Sequence, residues 1–319
     1  MGRPPGLNMS SALVTGAAGF IGSHLVEELL NRQYDVRGVD NFSTGRRKNV
    51  DAIDDPTYEF VEGDIRDADL LNSLLDGVDF VFHQAAVPSV PRSVDDPVKT
   101  TDANCTGTAT VIDEARKADV DTVVVASSSS VYGSTEELPK VESMVERPES
   151  PYALSKYYTE KLALQASELY DIDTVALRYF NIFGPRQDPM GDYAAVIPKF
   201  IDLLLDGERP VIYGDGEQSR DFTYIDNAVE ANILAAEEDV TGEAFNVGTG
   251  GRVTVNDLVE RLNEIMGTEI EPIHDDPRPG DVRHSHADIS KGSELLGYEP
   301  VVGFSEGLKN TVDYYQSLR

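Results

Sequence analysis

Short runs of β-branched and other apolar residues recur through the first half of the chain. Between them lie stretches whose apolar positions fall three and four apart. Runs at 12–15, 35–39, 58–62, 78–82 and 122–126 predict strands, and 20–32, 67–75 and 96–118 predict helices between them. Such alternation builds a parallel sheet covered on both faces. A long helical pattern at 150–170 and a further run at 174–178 continue the series. Beyond Gly184 the elements shorten and are punctuated by Pro198, Gly207, Pro210, Gly214 and Gly216, then by Pro272, Pro277, Pro279 and Gly280. The pattern predicts an α/β chain with a doubly wound sheet over 1–183 and a smaller α/β domain over 184–319. Elements near 222–250, and the run at 245–248 in particular, are expected to return to the main sheet, so the boundary is interwoven.

Composition narrows this picture. Of 319 residues 57 are acidic and 27 basic, a net charge of −30. Phosphate contacts need clustered Lys and Arg, so no nucleic-acid partner is expected. The acids are dispersed along the chain and lysine is scarce, nine against eighteen arginines. This composition suggests a halophilic protein from an acidic proteome, in which salt screens the self-repulsion. No apolar run approaches the ~18 residues of a membrane span. Residues 1–10 lack a signal-peptide core, so a cytoplasmic location is expected, with Met1 or Met9 as the start. The single cysteine, Cys105, supports neither a disulfide framework nor a thiolate cluster.

The sharpest chemical signal is glycine at 16, 19 and 22, after the first predicted strand and at the start of the first helix. Glycines allow a tight turn and close approach of backbone to a pyrophosphate, and the helix N-terminus supplies free N–H groups. Asp40 ends the second predicted strand, 18 residues past Gly22. An acid there holds ribose hydroxyls and repels a 2′-phosphate, which favours NAD over NADP. The first domain therefore reads as a Rossmann-type NAD-binding domain. Asp64 has two readings, a contact near the adenine or a helix N-cap.

Tyr152 and Lys156 sit four apart on one predicted helical face. A free phenol titrates near ~10, so it needs neighbouring positive charge to act as a base. Lys156 and an oxidised nicotinamide are expected to supply it. A valine-rich strand runs into Ser127, Ser128, Ser129 and Ser130, and ligands of open parallel sheets bind at strand carboxyl ends.

Taken in order, the glycine turn, Ser-Ser-x-x-x-Tyr-Gly ending at Gly133, and Tyr152-x-x-x-Lys156 resemble the extended short-chain dehydrogenase/reductases, in particular the UDP-hexose 4-epimerases. The similarity covers nearly the whole chain from Ser11. It includes the stretches from His83 to Ser93, Leu177 to Pro185, Tyr193 to Lys199, Gly214 to Phe222 and Arg278 to Arg283. The resemblance implies that Ser128, Tyr152 and Lys156 are catalytic. It implies NAD contacts from Gly16, Gly19, Phe20, Ile21, Gly22, Asp40, Asn41, Ser43, Thr44, Gly45, Asp64, Ile65, Gln84, Ala85, Ala86, Asn104, Tyr152, Lys156 and Tyr179. It implies contacts to a UDP-sugar from Ser89, Ser128, Ser129, Tyr152, Asn181, Ala195, Val196, Lys199, Arg220, Arg278, Asp281 and Ser285. The smaller domain is then the substrate-binding domain, and His83 packs beneath the cofactor.

The implied activity is 4-epimerisation of UDP-glucose and of UDP-N-acetylglucosamine. Tyr152 would take the C4 hydroxyl proton while hydride passes to the nicotinamide, and the 4-keto sugar would turn over and be reduced on its other face. Similar 4,6-dehydratases carry an Asp-Glu step where this chain has Ser129 and Ser130, so the acid for dehydration is missing. A 4-epimerase for a UDP-uronate is the main rival. A non-catalytic NAD-binding protein is the second, disfavoured because Tyr152 and Lys156 are both present. Ser285 is a small residue where similar epimerases that reject N-acetyl groups carry an aromatic one. His284 and His286 lack a third metal ligand, and no metal is expected. A homodimer through the helices near 96–118 and 150–170 is expected from the same resemblance.

Overall fold

The computed structural model describes residues 10–189, 195–277 and 282–319. Seven parallel strands make the central sheet: β1 (Ser11–Thr15), β2 (Asp35–Asp40), β3 (Tyr58–Glu62), β4 (Phe80–His83), β5 (Thr122–Ser128), β6 (Asp173–Tyr179) and β7 (Glu243–Val247). Their order in space is β7-β6-β5-β4-β1-β2-β3. The winding direction reverses between β1 and β4. Connections leaving these two neighbours diverge and open a crevice at their carboxyl ends. Each of the seven runs read from the sequence lies in this sheet. Strand β4 begins at Phe80, two residues later than read, and just before it the Asp79 side chain accepts from Ser11 N–H at 2.9 Å.

The inner strands β1, β4 and β5 are apolar on both faces because helices cover both. Ala12, Leu13 and Val14 of β1 are fully buried. On one face pack helix α1 (Phe20–Asn31) and a helix at Ile225–Glu237, through Leu25, Val26, Leu29 and Ile233. On the other face lie α2 (Ala68–Leu74) and two longer helices at Gly107–Lys117 and Pro151–Leu169, through Leu71, Val111, Ile112 and Ala163.

The helix expected at 96–118 is interrupted. Val90–Asp95 (α3) and Pro97–Thr101 (α4) lead into a π turn at Asp102–Thr106 before Gly107–Lys117 (α5). The turn faces inward Asn104, whose side chain accepts from Val87 N–H at 2.7 Å and donates to Ser155 Oγ at 2.9 Å. A π insertion of this kind often marks a functional site. Ser150 caps the next helix, α6 (Pro151–Leu169), by accepting from Ala153 N–H, and Pro151 occupies its first turn.

Arg178 of β6 is 1% exposed and fully engaged. It donates to both oxygens of Glu160 (2.6 and 2.9 Å), to Glu146 (2.7 Å) and to the Tyr132 hydroxyl (2.8 Å). Glu160 also accepts from the Ser127 hydroxyl at 2.8 Å. This buried pair joins β5, β6 and α6 beside the run of serines that ends β5.

The remaining elements pack at the carboxyl edge. Helix α7 (Val196–Leu205) contacts the helices at Val255–Met266 and Phe304–Ser317. Short strand pairs knit the loops: Val211–Tyr213 with Ile273–Asp275, and Ser219–Arg220 with Val253–Thr254. Between them the chain crosses back into the main body through Ile225–Glu237 (α8) and β7.

Candidate active site

A cavity of about 470 Å³ occupies the crevice at the switch point. Gly16, Gly19 and Gly22 form its floor. Gly16 has φ +71°, and a Cβ there would come 2.8 Å from Ala85 N. A Cβ on Gly22 would come 2.1 Å from the Gly16 carbonyl oxygen, so only glycine lets α1 start this close to β1. The bare turn and the start of α1 form an anion cradle.

Asp40, Asn41, Ser43, Thr44, Asp64, Ile65, Gln84, Ala85 and Ala86 line the same cavity, with Phe20, Ile21, Tyr152, Lys156 and Tyr179. Asp40 accepts from Ala18 N–H at 3.1 Å and Phe42 N–H at 2.7 Å, leaving lone pairs for two ribose hydroxyls. Burial raises its carboxyl above the usual range, and those two backbone donors offset the rise. Asp64 is held below the carboxylate range by Arg66, and it also accepts from Asn41 Nδ2 at 2.9 Å. It does not cap a helix: Asp67 caps α2 by accepting from Leu70 N–H. Gln84, Tyr179 and Asn232 close a ring of three hydrogen bonds of 2.7–3.0 Å that fixes the wall beneath Tyr179.

Two of the expected NAD contacts lie behind this surface. Gly45 packs against Asp40, where a Cβ would come 2.7 Å from Oδ2. Asn104 is buried and spends its amide on Val87 and Ser155, so it shapes the cleft from the second layer. His83 is also behind it. Thr15 and Thr108 flank its ring at 2.7 and 2.9 Å, and burial keeps it neutral, its pKa lowered to about 3.

Tyr152 and Lys156 stand where the helix α6 meets the end of β5. Lys156 Nζ donates to the Ala126 carbonyl at 2.8 Å. Burial lowers the ammonium to about 8. Burial raises the Tyr152 phenol, and a hydrogen bond with Ser128 counters it. Ser128 begins a short 3₁₀ turn and accepts from Ser130 N–H at 3.2 Å. Ser127 lines the cavity, whereas Ser128 and Ser129 are not among its lining residues.

A second cavity of about 290 Å³ adjoins the first and shares Ala195 with it. Asn181, Val196, Lys199 and Arg220 line it, with Phe200, Phe222 and Tyr213 as apolar walls. An aromatic and cationic lining suits a planar base carrying phosphates. Ser89 lines the first cavity and caps α3. Ser285 lines neither; it is half-buried and donates its N–H to the Ser219 carbonyl at 3.0 Å, one residue from Arg220. Arg278 and Asp281 fall outside the described residues. His284 shares a hydrogen bond with Ser219 and His286 with the Gly250 carbonyl.

Sequence reasoning passed over several lining residues: Ala18, Arg46, Asn49, Arg66 and Arg186. Arg186 directly follows the stretch from Leu177 to Pro185 and carried its own signal, a cation beside a glycine–proline step.

Residues 12–248 match the model of the NAD dependent epimerase/dehydratase family. The chain belongs to that family. Its cofactor is NAD, and the bare cradle at Gly16 and Gly22, with the carboxylate of Asp40 beside it, fits a dinucleotide. The family member named UDP-glucose 4-epimerase from Mycolicibacterium smegmatis is 40% identical over 308 residues, covering 96% of this chain and 98% of its own. The solved UDP-N-acetylglucosamine 4-epimerase from Methanobrevibacter ruminantium, in complex with UDP-N-acetylmuramic acid, is 41% identical with a TM-score of 0.94, covering 98% of this chain and 100% of its own. The UDP-glucuronic acid 4-epimerase of Bacillus cereus, solved with UDP-glucuronic acid and NAD, is 35% identical with a TM-score of 0.89, covering 97% of this chain and 100% of its own. Among the described residues no helix is long and apolar enough to cross a membrane.

Proposed function

We propose that this family member is a UDP-sugar 4-epimerase, an isomerase that interconverts UDP-glucose with UDP-galactose and UDP-N-acetylglucosamine with UDP-N-acetylgalactosamine. The observation that carries the reading is that Tyr152 and Lys156, one turn apart on α6, both line the dinucleotide cavity, with Lys156 Nζ bound at 2.8 Å to the Ala126 carbonyl of the strand that ends in Ser128. Serines, not an acid pair, follow Ser128, so the residues favour returning the C4 proton over eliminating water.

Bound NAD supplies reversible hydride acceptance at C4 of the sugar. The chain's own residues do the rest. Tyr152 Oη removes the C4 hydroxyl proton and later returns it, with the Ser128 hydroxyl holding the sugar oxygen in line. Arg220 and Lys199 hold the nucleotide end in the second cavity, so the hexose can rotate without leaving. The closed hydrogen-bond ring of Gln84, Tyr179 and Asn232 keeps the wall rigid while it does so.

Exposed apolar residues support a homodimer. Val94, Val98 and Leu154, on α3, α4 and α6, are 62%, 77% and 57% exposed, and Val90 and Tyr158 extend the patch. Such a patch on neighbouring helices suits a self-complementary contact. Light scattering of the protein and of Leu154→Asp tests this; a wild-type monomer would reject it.

The activity is tested by incubating purified protein with UDP-glucose, UDP-N-acetylglucosamine and UDP-glucuronate separately and reading the products by NMR. Epimers of the first two, with no change in mass, are expected. A 6-deoxy product or turnover of UDP-glucuronate alone would overturn the reading.

A further inference from the structure

We propose that Asp221 is a positioning residue for the nucleotide end of the substrate: its buried carboxylate locks together the chain segments that carry Arg220, Asn181 and Ser285, and so holds the second cavity ready for UDP. Asp221 is fully buried. Its Oδ1 accepts from the Thr249 N–H at 2.8 Å and from the Thr249 hydroxyl at 2.7 Å. Its Oδ2 accepts from the Gly250 N–H and the Ala287 N–H, each at 3.2 Å. Taking a carboxylate out of water is costly, and hydrogen bonds to the charged form offset that cost. Here the donors come from two distant segments, the turn that follows β7 and the stretch that follows Ser285.

The surroundings of Asp221 lead to the substrate side. Its chain neighbours Arg220 and Phe222 both line the second cavity, and Asp221 between them turns into the interior. Arg220 Nη1 is steadied by the Ser219 and Arg283 carbonyls, at 3.0 and 3.3 Å. The Asp221 carbonyl accepts from Asn181 Nδ2 at 3.3 Å, and Asn181 lines the same cavity. Ala287 lies two residues past Ser285, whose N–H is bound to the Ser219 carbonyl at 3.0 Å. The stretch is thus held by Ser219 at one end and by Asp221 at the other. The packing demands glycine just past β7: a Cβ on Gly248 would come 2.9 Å from Asp221 Oδ2 and 2.6 Å from Ala287 Cβ. His286 Nε2 shares a 3.0 Å hydrogen bond with the Gly250 carbonyl and ties the same two segments a second time. Groups fixed before a ligand arrives lower the ordering cost of binding. Asp221 therefore acts on affinity for the nucleotide, not on the chemistry at C4.

The proposal rests on the UDP-sugar reading. It is tested by measuring the Kd of UDP and of NAD, together with KM and kcat for UDP-glucose. Asp221→Asn replaces one accepting oxygen by an NH2 group that faces N–H donors. Loss of hydrogen bonds to a charged group predicts a rise of about tenfold in the UDP Kd and in KM, with kcat and NAD affinity close to those of the wild type. Thr249→Val removes the hydroxyl donor alone and is expected to raise the same two quantities about threefold. It decides the matter if the asparagine variant does not fold. Unchanged UDP affinity and KM in a folded variant would overturn the proposal. So would an equal loss of NAD affinity, which marks general damage to the fold, or a fall in kcat at unchanged KM. A wild type that binds NAD but not UDP would remove the UDP-sugar reading and the proposal with it.

Discussion

Lys156 Nζ donates a 2.8 Å hydrogen bond to the Ala126 carbonyl, two residues before Ser128 on the same strand. One contact thus ties the helix that carries Tyr152 to the strand that carries Ser128, and it buries an ammonium group to do so.

That burial has a pH signature. Desolvation lowers Lys156 from 10.5 to about 8 in the folded protein. The folded value lies below the unfolded one, so the penalty is full below pH 8 and fades as pH rises toward 10.5. Lys156→Met is expected to abolish epimerisation. The Tm of the wild type should rise relative to that of the variant between these pH values. A constant difference in Tm from pH 7 to 10 would rule out a buried ammonium.

Tyr152→Phe should retain NAD and the fold while losing roughly 10²-fold or more of the rate, the usual worth of a positioned acid–base group. Ser128→Ala removes the hydrogen bond that counters burial of the phenol, so the acidic limb of its pH–rate profile should move to higher pH. A profile that falls in height without moving would assign Ser128 to the substrate alone.

The Arg178–Glu160 pair predicts a stability effect separate from chemistry. Arg178→Met leaves the Glu160 carboxylate buried without its partner, and breaking such a pair costs about 3–5 kcal/mol. Urea unfolding is expected to show a loss in that range. Restoration by the double variant with Glu160→Gln would identify the stranded charge as the cause; no restoration would point to lost packing.

Ser285→Tyr should selectively suppress turnover of UDP-N-acetylglucosamine and spare UDP-glucose. Its backbone bond to the Ser219 carbonyl places it beside the strand that carries Arg220. Equal loss of both activities would reject a role in selecting the sugar.

The net charge of −30 predicts a strong salt response. Added KCl screens the self-repulsion over a Debye length of ~3 Å at 1 M, so Tm should climb steeply from dilute buffer to molar salt. A flat response would remove halophilic adaptation from the account.

Local pattern was sufficient for the sheet. The runs around Val14, Val124 and Val175 are apolar on both faces, and the glycines at 16, 19 and 22 carry their own steric requirement. It was also sufficient for the Tyr152–Lys156 pair, because four residues make one helical turn. Contacts between distant segments were not readable in this way. Asn104 reaches Val87 and Ser155 instead of the cavity because a π turn rotates it inward. Arg186 meets Glu27 across 159 positions of sequence. Periodicity and local backbone demands are written in the sequence; which distant side chains meet, and which of them border the cavity, depends on how the helices and loops close over the sheet.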